Sequence, residues 1–174
     1  MSKLLYSAAM SLDGFIAGPG GDMSWLNRHP IEPSEVAAGL ADRIGSVLIG
    51  GTTFRGDDPN RGTEEEGAFA GQYEGPTLVL TRQPPERPVP GVEFHTDLPE
   101  AVARAKDLAS DRYVNVLGAG VARSCLEAGL LDEILIFVVP VLLGGGTRAY
   151  DGAKEVGLER LPGTTEHWYR VIKD

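Results

Sequence analysis

The chain has 174 residues, enough for one domain with a sizeable core and too few for two with separate cores. With 42% hydrophobic and 24% charged residues it is not a disordered chain, and no run approaches the ~18 consecutive apolar residues of a membrane-spanning helix. A formal net charge of -9, with no lysine- or arginine-rich run, argues against nucleic acid as principal partner, yet leaves room for a phosphorylated small molecule held by one arginine and backbone N–H groups.

Reading in chain order, residues 3–9 are expected to form a first strand, followed by the glycine-rich loop SLDGFIAGPGGDMSWL. Residues 33–44 have the alanine and leucine content of a helix, and residues 46–49 read as a second strand running into GGTTF, where Thr52 is a candidate N-cap. Glu64, Glu65 and Glu66 read as a solvated helix start. TLVLT, residues 77–81, is a third strand, and QPPERPVPG after it is a loop, because proline suits neither helix interiors nor central strands. Residues 92–95 suggest a short strand, Asp97 an N-cap and residues 98–108 a helix. YVNVL is a fifth strand feeding GAGVARSCLEAGL, a glycine turn and amphipathic helix. Residues 133–143 read as one long strand carrying Pro140, and residues 165–172 alternate like a half-buried closing strand.

Repeated strand–helix alternation predicts an α/β fold with a mostly parallel sheet and an antiparallel C-terminal end, all in one domain over residues 1–174. Cys125, the only cysteine, has no internal disulfide partner, and the N-terminus lacks a basic segment followed by an apolar stretch, so a cytoplasmic location is expected. His29, His95 and His167 are isolated and predict no metal site.

In parallel sheets, ligands bind beyond the carboxyl ends of the strands, which makes the residues there the ones to inspect. Gly118, Ala119, Gly120 and Val121 combine bare backbone with a helix start and its unpaired N–H groups. Thr81 and Arg82 pair a hydroxyl with a guanidinium, as a 2′-phosphate would require. Gly50, Gly51, Thr52 and Thr53 form a third turn of the same character. Each taken alone is a plain turn or a solvated side chain, but three at neighbouring strand ends fit one ligand with several phosphates, an NADP-type dinucleotide.

The strings SLDGFIA, GGDMSW, VLIGGTTF, LVLTR, VLGAG and, most specifically, EAGLLDEILIFVVPVLLGGGTR resemble the bacterial dihydrofolate reductase-like family that includes the riboflavin-biosynthesis reductase domain, the RibD C-terminal domain. The resemblance covers nearly the whole chain. It implies a dihydrofolate reductase-like three-layer fold, NADPH as cofactor at the three turns, Ala9 and Ile16 near the nicotinamide, and a homodimer with the apolar run 134–139 near its interface. The implied activity is NADPH-dependent reduction of a small heterocyclic or carbonyl substrate. One alternative is the 5-amino-6-(5-phosphoribosylamino)uracil reductase of riboflavin biosynthesis, and another is a non-catalytic NADP(H)-binding protein. Leu117 stands where riboflavin-pathway members carry an acidic residue, and Trp25 is followed by no carboxylate until Glu32, where folate reducers place one sooner. Asp57-Asp58-Pro59 matches the family's Asp-Pro pair, with Arg61 following too soon for its arginine.

For the chemistry, the first glycine-rich loop is the expected lid, with Gly14, Gly18, Gly20 and Gly21 supplying mobility and Trp25 a flat wall for a heterocycle. Asp13, Asp22 and Asp58 are the candidate proton donors, with water as the other source. GGGTR, residues 144–148, is either a loop near the substrate mouth or a plain connection.

Overall fold

The computed structural model describes residues 1–173 except 57 and 59. Its strands are β1 (Leu4–Ser11), β2 (Phe15–Ala17), β3 (Ile44–Gly50), β4 (Thr77–Leu80), β5 (Val92–His95), β6 (Tyr113–Leu117), β7 (Glu133–Val139), β8 (Thr147–Arg148), β9 (Leu158–Arg160) and β10 (His167–Val171). The α-helices are α1 (Trp25–Arg28), α2 (Glu35–Gly39), α3 (Gly51–Phe54), α4 (Leu98–Ala109) and α5 (Ala119–Glu127). Eight strands form one sheet in the order β5-β4-β3-β6-β1-β7-β10-β9, and β2 and β8 form a separate ribbon. From β5 to β7 every neighbour is parallel, whereas β10 runs antiparallel to β7 and to β9. This is the mostly parallel sheet with an antiparallel end that the sequence predicts.

Alternation along the strands builds two core layers. Leu4, Tyr6, Leu48, Leu78, Val114 and Val116 face the helices α4 and α5. Those helices reply with Ala101, Val102, Ala105 and Ala109, and with Val121, Ala122 and Cys125, the spacing of one buried helical stripe. On the opposite face, Leu5, Val47, Ile49, Val79, Leu135 and Phe137 pack with Leu40 and Trp168, and with Ile31, Val36 and Ala37 around α2. Asp97 caps α4 as expected, accepting from Glu100 N–H at 2.9 Å. At the amino edge of the sheet, the Glu133 carboxylate is 2% exposed and accepts from Lys3 Nζ at 2.7 Å, Tyr113 hydroxyl at 2.9 Å and Trp168 Nε1 at 2.9 Å.

Several expectations need correction. The helix over residues 33–44 shrinks to α2 and a 3₁₀ turn at Ala41–Arg43, because Gly39 ends it and Ile44 already pairs with Tyr113. The strand over residues 133–143 stops at Val139, before Pro140, which has no N–H for the ladder. Glu64 and Glu65 lie in a turn and Glu66 in irregular chain, with no helix there. Residues 134–139 lie in β7, which pairs with β1 along its whole length and with β10 from Glu133 to Ile136. The short strands β2, β8 and β9 carry no period long enough to be read from sequence.

Candidate functional site

Six parallel strands end on one edge, and there the two central ones separate. Pairing between β1 and β6 comprises Leu4 with Val114, Leu5 with Asn115 and Tyr6 with Val116. Beyond that point β1 continues beside β7 as far as Ser11 and Val139, while Leu117 at the end of β6 pairs with Ile49 of β3. Residues 7–11 therefore have a partner strand on one side only. Ala8, Ala9 and Met10 are half-buried although they lie in the middle of an eight-stranded sheet. Such an opening at the carboxyl ends of central strands is where α/β sheets bind ligands.

The three turns singled out by sequence border this edge and touch one another. Gly118 has φ +94° and ψ 134°, a region accessible essentially to glycine, and a Cβ on it would overlap the Thr53 hydroxyl. The β6–α5 turn is thereby brought directly onto α3. A Cβ on Gly51 would stand 2.7 Å from Thr81 Oγ1 and 3.1 Å from Arg55 Nη1, so the ends of β3 and β4 also meet at a bare backbone position. Gly50 approaches Val121, whose Cγ2 lies 3.0 Å from the position of a Cβ. Ala122 N–H bonds the Gly118 carbonyl at 3.1 Å, leaving the N–H groups of Ala119, Gly120 and Val121 with no intrahelical acceptor at the positive end of α5.

Thr52 is not the N-cap. The extended Gly50 (φ -82°, ψ 154°) takes that place, α3 begins at Gly51, and both threonines lie exposed within its single turn. Thr81 is half-buried, its Oγ1 accepting from Gln83 N–H at 3.2 Å, and Arg82 is exposed beside it. The guanidinium of Arg55 near Gly51 escaped the sequence reading; its only signal was a spacing of four residues, one helical turn, from Gly51.

The first loop is fastened more firmly than a glycine-rich lid suggests. Asp13 accepts from the Ser11 hydroxyl at 2.6 Å, Leu143 N–H at 3.0 Å and Gly144 N–H at 2.7 Å. These bonds, the Ser11 hydroxyl foremost, hold its carboxyl down to about 2. In this arrangement the Asp13 carboxylate acts as an acceptor that clamps two loops together. The ribbon adds to the clamp: Phe15 pairs with Arg148, Ala17 with Thr147, and Arg148 stacks over the Phe15 ring at 4.7 Å. Because β7 is parallel to β1, GGGTR emerges at the same edge as the first loop and is bonded to it through Gly144 and Asp13. Ile16, half-buried on β2, is held against the same edge.

The remaining candidates sit in and beside the same loops. Trp25 is 0% exposed, so its ring is covered and offers no open stacking wall, while its indole N–H is buried without a partner. Asp22 accepts from Ser24 N–H at 2.9 Å, and Ser24 holds its carboxyl below the usual range. Asp58 accepts from Asn60 N–H at 2.9 Å and Gly67 N–H at 2.8 Å, the geometry of a turn stabiliser. Its neighbours in the Asp-Pro match, Asp57 and Pro59, lie outside the described residues. Among the described residues no group of three or more histidine, cysteine or acidic side chains stands together as a metal site, and no helix is long and apolar enough to cross a membrane.

Comparison with known proteins places this geometry. A family model described as RibD C-terminal domain matches residues 2–168. Riboflavin biosynthesis protein RibD of Mycobacterium tuberculosis is 32% identical over 171 residues, covering 92% of this chain and 48% of that protein, so the chain spans about half the length of this relative. Among solved structures, a candidate riboflavin biosynthesis protein of Shewanella sp. PV-4 superposes with a TM-score of 0.73 at 22% identity, covering 99% of this chain and 100% of that one. The riboflavin biosynthesis reductase Rib7 of Saccharomyces cerevisiae gives 0.62 at 18% identity, covering 98% and 90%. At such identities the two structures speak to the fold.

Proposed function

Because the chain belongs to the RibD C-terminal domain family, we propose that it is an NADPH-dependent reductase that delivers hydride to a small heterocyclic or carbonyl substrate. The observation that carries this reading is the meeting of three glycine- and threonine-bearing turns beside the opening between β1 and β6, where bare backbone at Gly51 and Gly118 lets Thr81, Arg55 and Thr53 of the neighbouring turns close in. NADPH supplies the hydride when bound. Gly118, Ala119, Gly120 and Val121 hold its diphosphate through backbone N–H groups at the start of α5, and Gly50, Gly51, Thr52 and Thr53 approach the same phosphates from α3. Thr81 and Arg82 take the 2′-phosphate, the one group that separates this cofactor from its unphosphorylated counterpart.

Ala9 and Ile16 border the nicotinamide, the small side chain of Ala9 keeping the central strand low beneath it. The clamped loop of residues 11–17 and its ribbon partner β8 keep water from the reacting carbon and hold the two reactants in one orientation. With Asp13 and Asp58 both accepting backbone hydrogen bonds, the accompanying proton is assigned to water.

A second reading is reduction of 5-amino-6-(5-phosphoribosylamino)uracil in riboflavin biosynthesis, favoured by the 32% identity to RibD and opposed by Leu117, which puts an apolar side chain where an acidic one is expected. A homodimer is proposed on family grounds, joined through the side-chain face of β7, where Ile134 and Val138 are half-buried; sedimentation of a monomer at micromolar concentration would remove it. Loss of reduced-nicotinamide absorbance with a panel of dihydrofolate, pyrimidine and carbonyl compounds tests the activity. Turnover of one class identifies the substrate, and cofactor binding without turnover of any would instead favour an NADP(H)-binding protein without catalysis.

A further inference from the structure

We infer that Arg55 is a second cation for the 2′-phosphate, and that Gly51 is bare so that Arg55 can reach it. This rests on the NADPH reading above and goes beyond it, assigning cofactor specificity to a residue outside the three turns.

Arg55 N–H bonds the Gly51 carbonyl at 3.1 Å, which places Arg55 one helical turn after Gly51 and on the same side of α3. Side chains lean toward the amino end of a helix, and this lean carries the guanidinium back toward the end of β3. Nη1 comes to rest 3.1 Å from where a Cβ on Gly51 would stand, and Thr81 Oγ1 lies 2.7 Å from the same point. A guanidinium from one strand end and a hydroxyl from the next thus share the space that a side chain on Gly51 would take. Arg82 follows Thr81 directly and is exposed.

Neither guanidinium is neutralised by a neighbour. Arg28, Arg104, Arg123 and Arg170 each lie within ion-pair distance of a carboxylate. Among the described residues Arg55 and Arg82 have no such partner, a state they share with Arg43, Arg61, Arg87, Arg112, Arg148 and Arg160. A phosphate monoester carries close to two negative charges at neutral pH and accepts hydrogen bonds at three oxygens, which suits two guanidinium groups and a hydroxyl better than one arginine alone.

The test measures dissociation constants of NADPH and NADH for the wild-type chain, Arg55→Ala, Arg55→Lys and Arg82→Ala, with melting temperatures of the ligand-free proteins as a check on folding. In Arg55→Ala, NADPH affinity is expected to fall about tenfold to a hundredfold, as for loss of a hydrogen bond to a charged group, with NADH affinity unchanged. Arg55→Lys is expected to recover part of the loss, because it restores the charge without the planar fork. An unchanged NADPH-to-NADH ratio in Arg55→Ala, or an equal loss for both nucleotides, overturns the role of Arg55. If that ratio collapses in Arg82→Ala alone, the cofactor reading stands and only Arg55 falls; a wild-type chain that binds neither nucleotide overturns both.

Discussion

Replacing Gly118 by alanine separates what this turn does for the fold from what it does for a ligand. At φ +94° and ψ 134° a side chain occupies a sparsely populated region, at a cost of about 1–3 kcal/mol. Its Cβ also overlaps the Thr53 hydroxyl, so relief requires the start of α5 to move away from α3. A total of ~2–3 kcal/mol, divided by a urea dependence of ~2–3 kcal/mol per molar, lowers the unfolding midpoint by about 1 M. Gly120 is the control, because it lies exposed inside α5 with nothing within 4 Å of an added Cβ. Gly120→Ala should hold or raise stability, by at most about 1 kcal/mol, since alanine is the better helix former. At the same time its methyl should obstruct phosphate at the helix start and weaken NADPH. Circular dichroism in urea measures the first effect and NADPH titration the second. A Gly118→Ala midpoint equal to wild type would refute the steric reasoning, and undiminished NADPH binding by Gly120→Ala would refute the cradle.

Glu133→Ala removes the acceptor shared by the Trp168 and Tyr113 donors and by Lys3. Because Lys3 is 51% exposed its part is discounted, and a loss of ~3 kcal/mol, or roughly 6–12 °C in calorimetric Tm, is expected; a change under about 2 °C would show that water satisfies the site. Asp13→Asn should destabilise the chain at neutral pH. The folded pKa of about 2 lies below the ordinary 3.8, so the contribution of the carboxylate is present above pH 3.8 and is lost as pH falls through 2. Urea midpoints of variant and wild type should therefore converge over that window, and a gap that persists at its lower end would contradict the clamp. Burial pushes the Cys125 thiol up to about 12, so iodoacetamide should leave it unmodified in the native chain and label it once denaturant is added; native labelling at a comparable rate would contradict its burial.

Much of the framework was legible because it rests on local rules. The Asp97 cap, the alanine and valine stripe of α4, and the glycine turn at Gly118 each announce themselves within a few residues. The three turns suspected of phosphate binding do meet, since parallel strands with crossover helices must end on one edge. What escaped depends on contacts distant in sequence. The clamp at Asp13 could not be read because its partners, Leu143 and Gly144, lie 130 residues away or more. The complete burial of Trp25 depends on the tertiary placement of the first loop, which no spacing encodes. The separation of β1 from β6 beyond Tyr6 is a matter of strand length against a neighbour and appears only once the register is known.

The measurement that bears most directly on the account is a thermal shift of the wild-type chain and Arg82→Ala with NADPH, NADP⁺ and NADH. At a hundredfold excess over the dissociation constant, a ligand of the native state adds about 2.7 kcal/mol, which corresponds to roughly 5–10 °C for a chain of this size. The account predicts a rise of that order with both phosphorylated cofactors, a much smaller one with NADH at the same concentration, and loss of the difference in Arg82→Ala. Equal stabilisation by NADH and NADPH, or none by either, would contradict it.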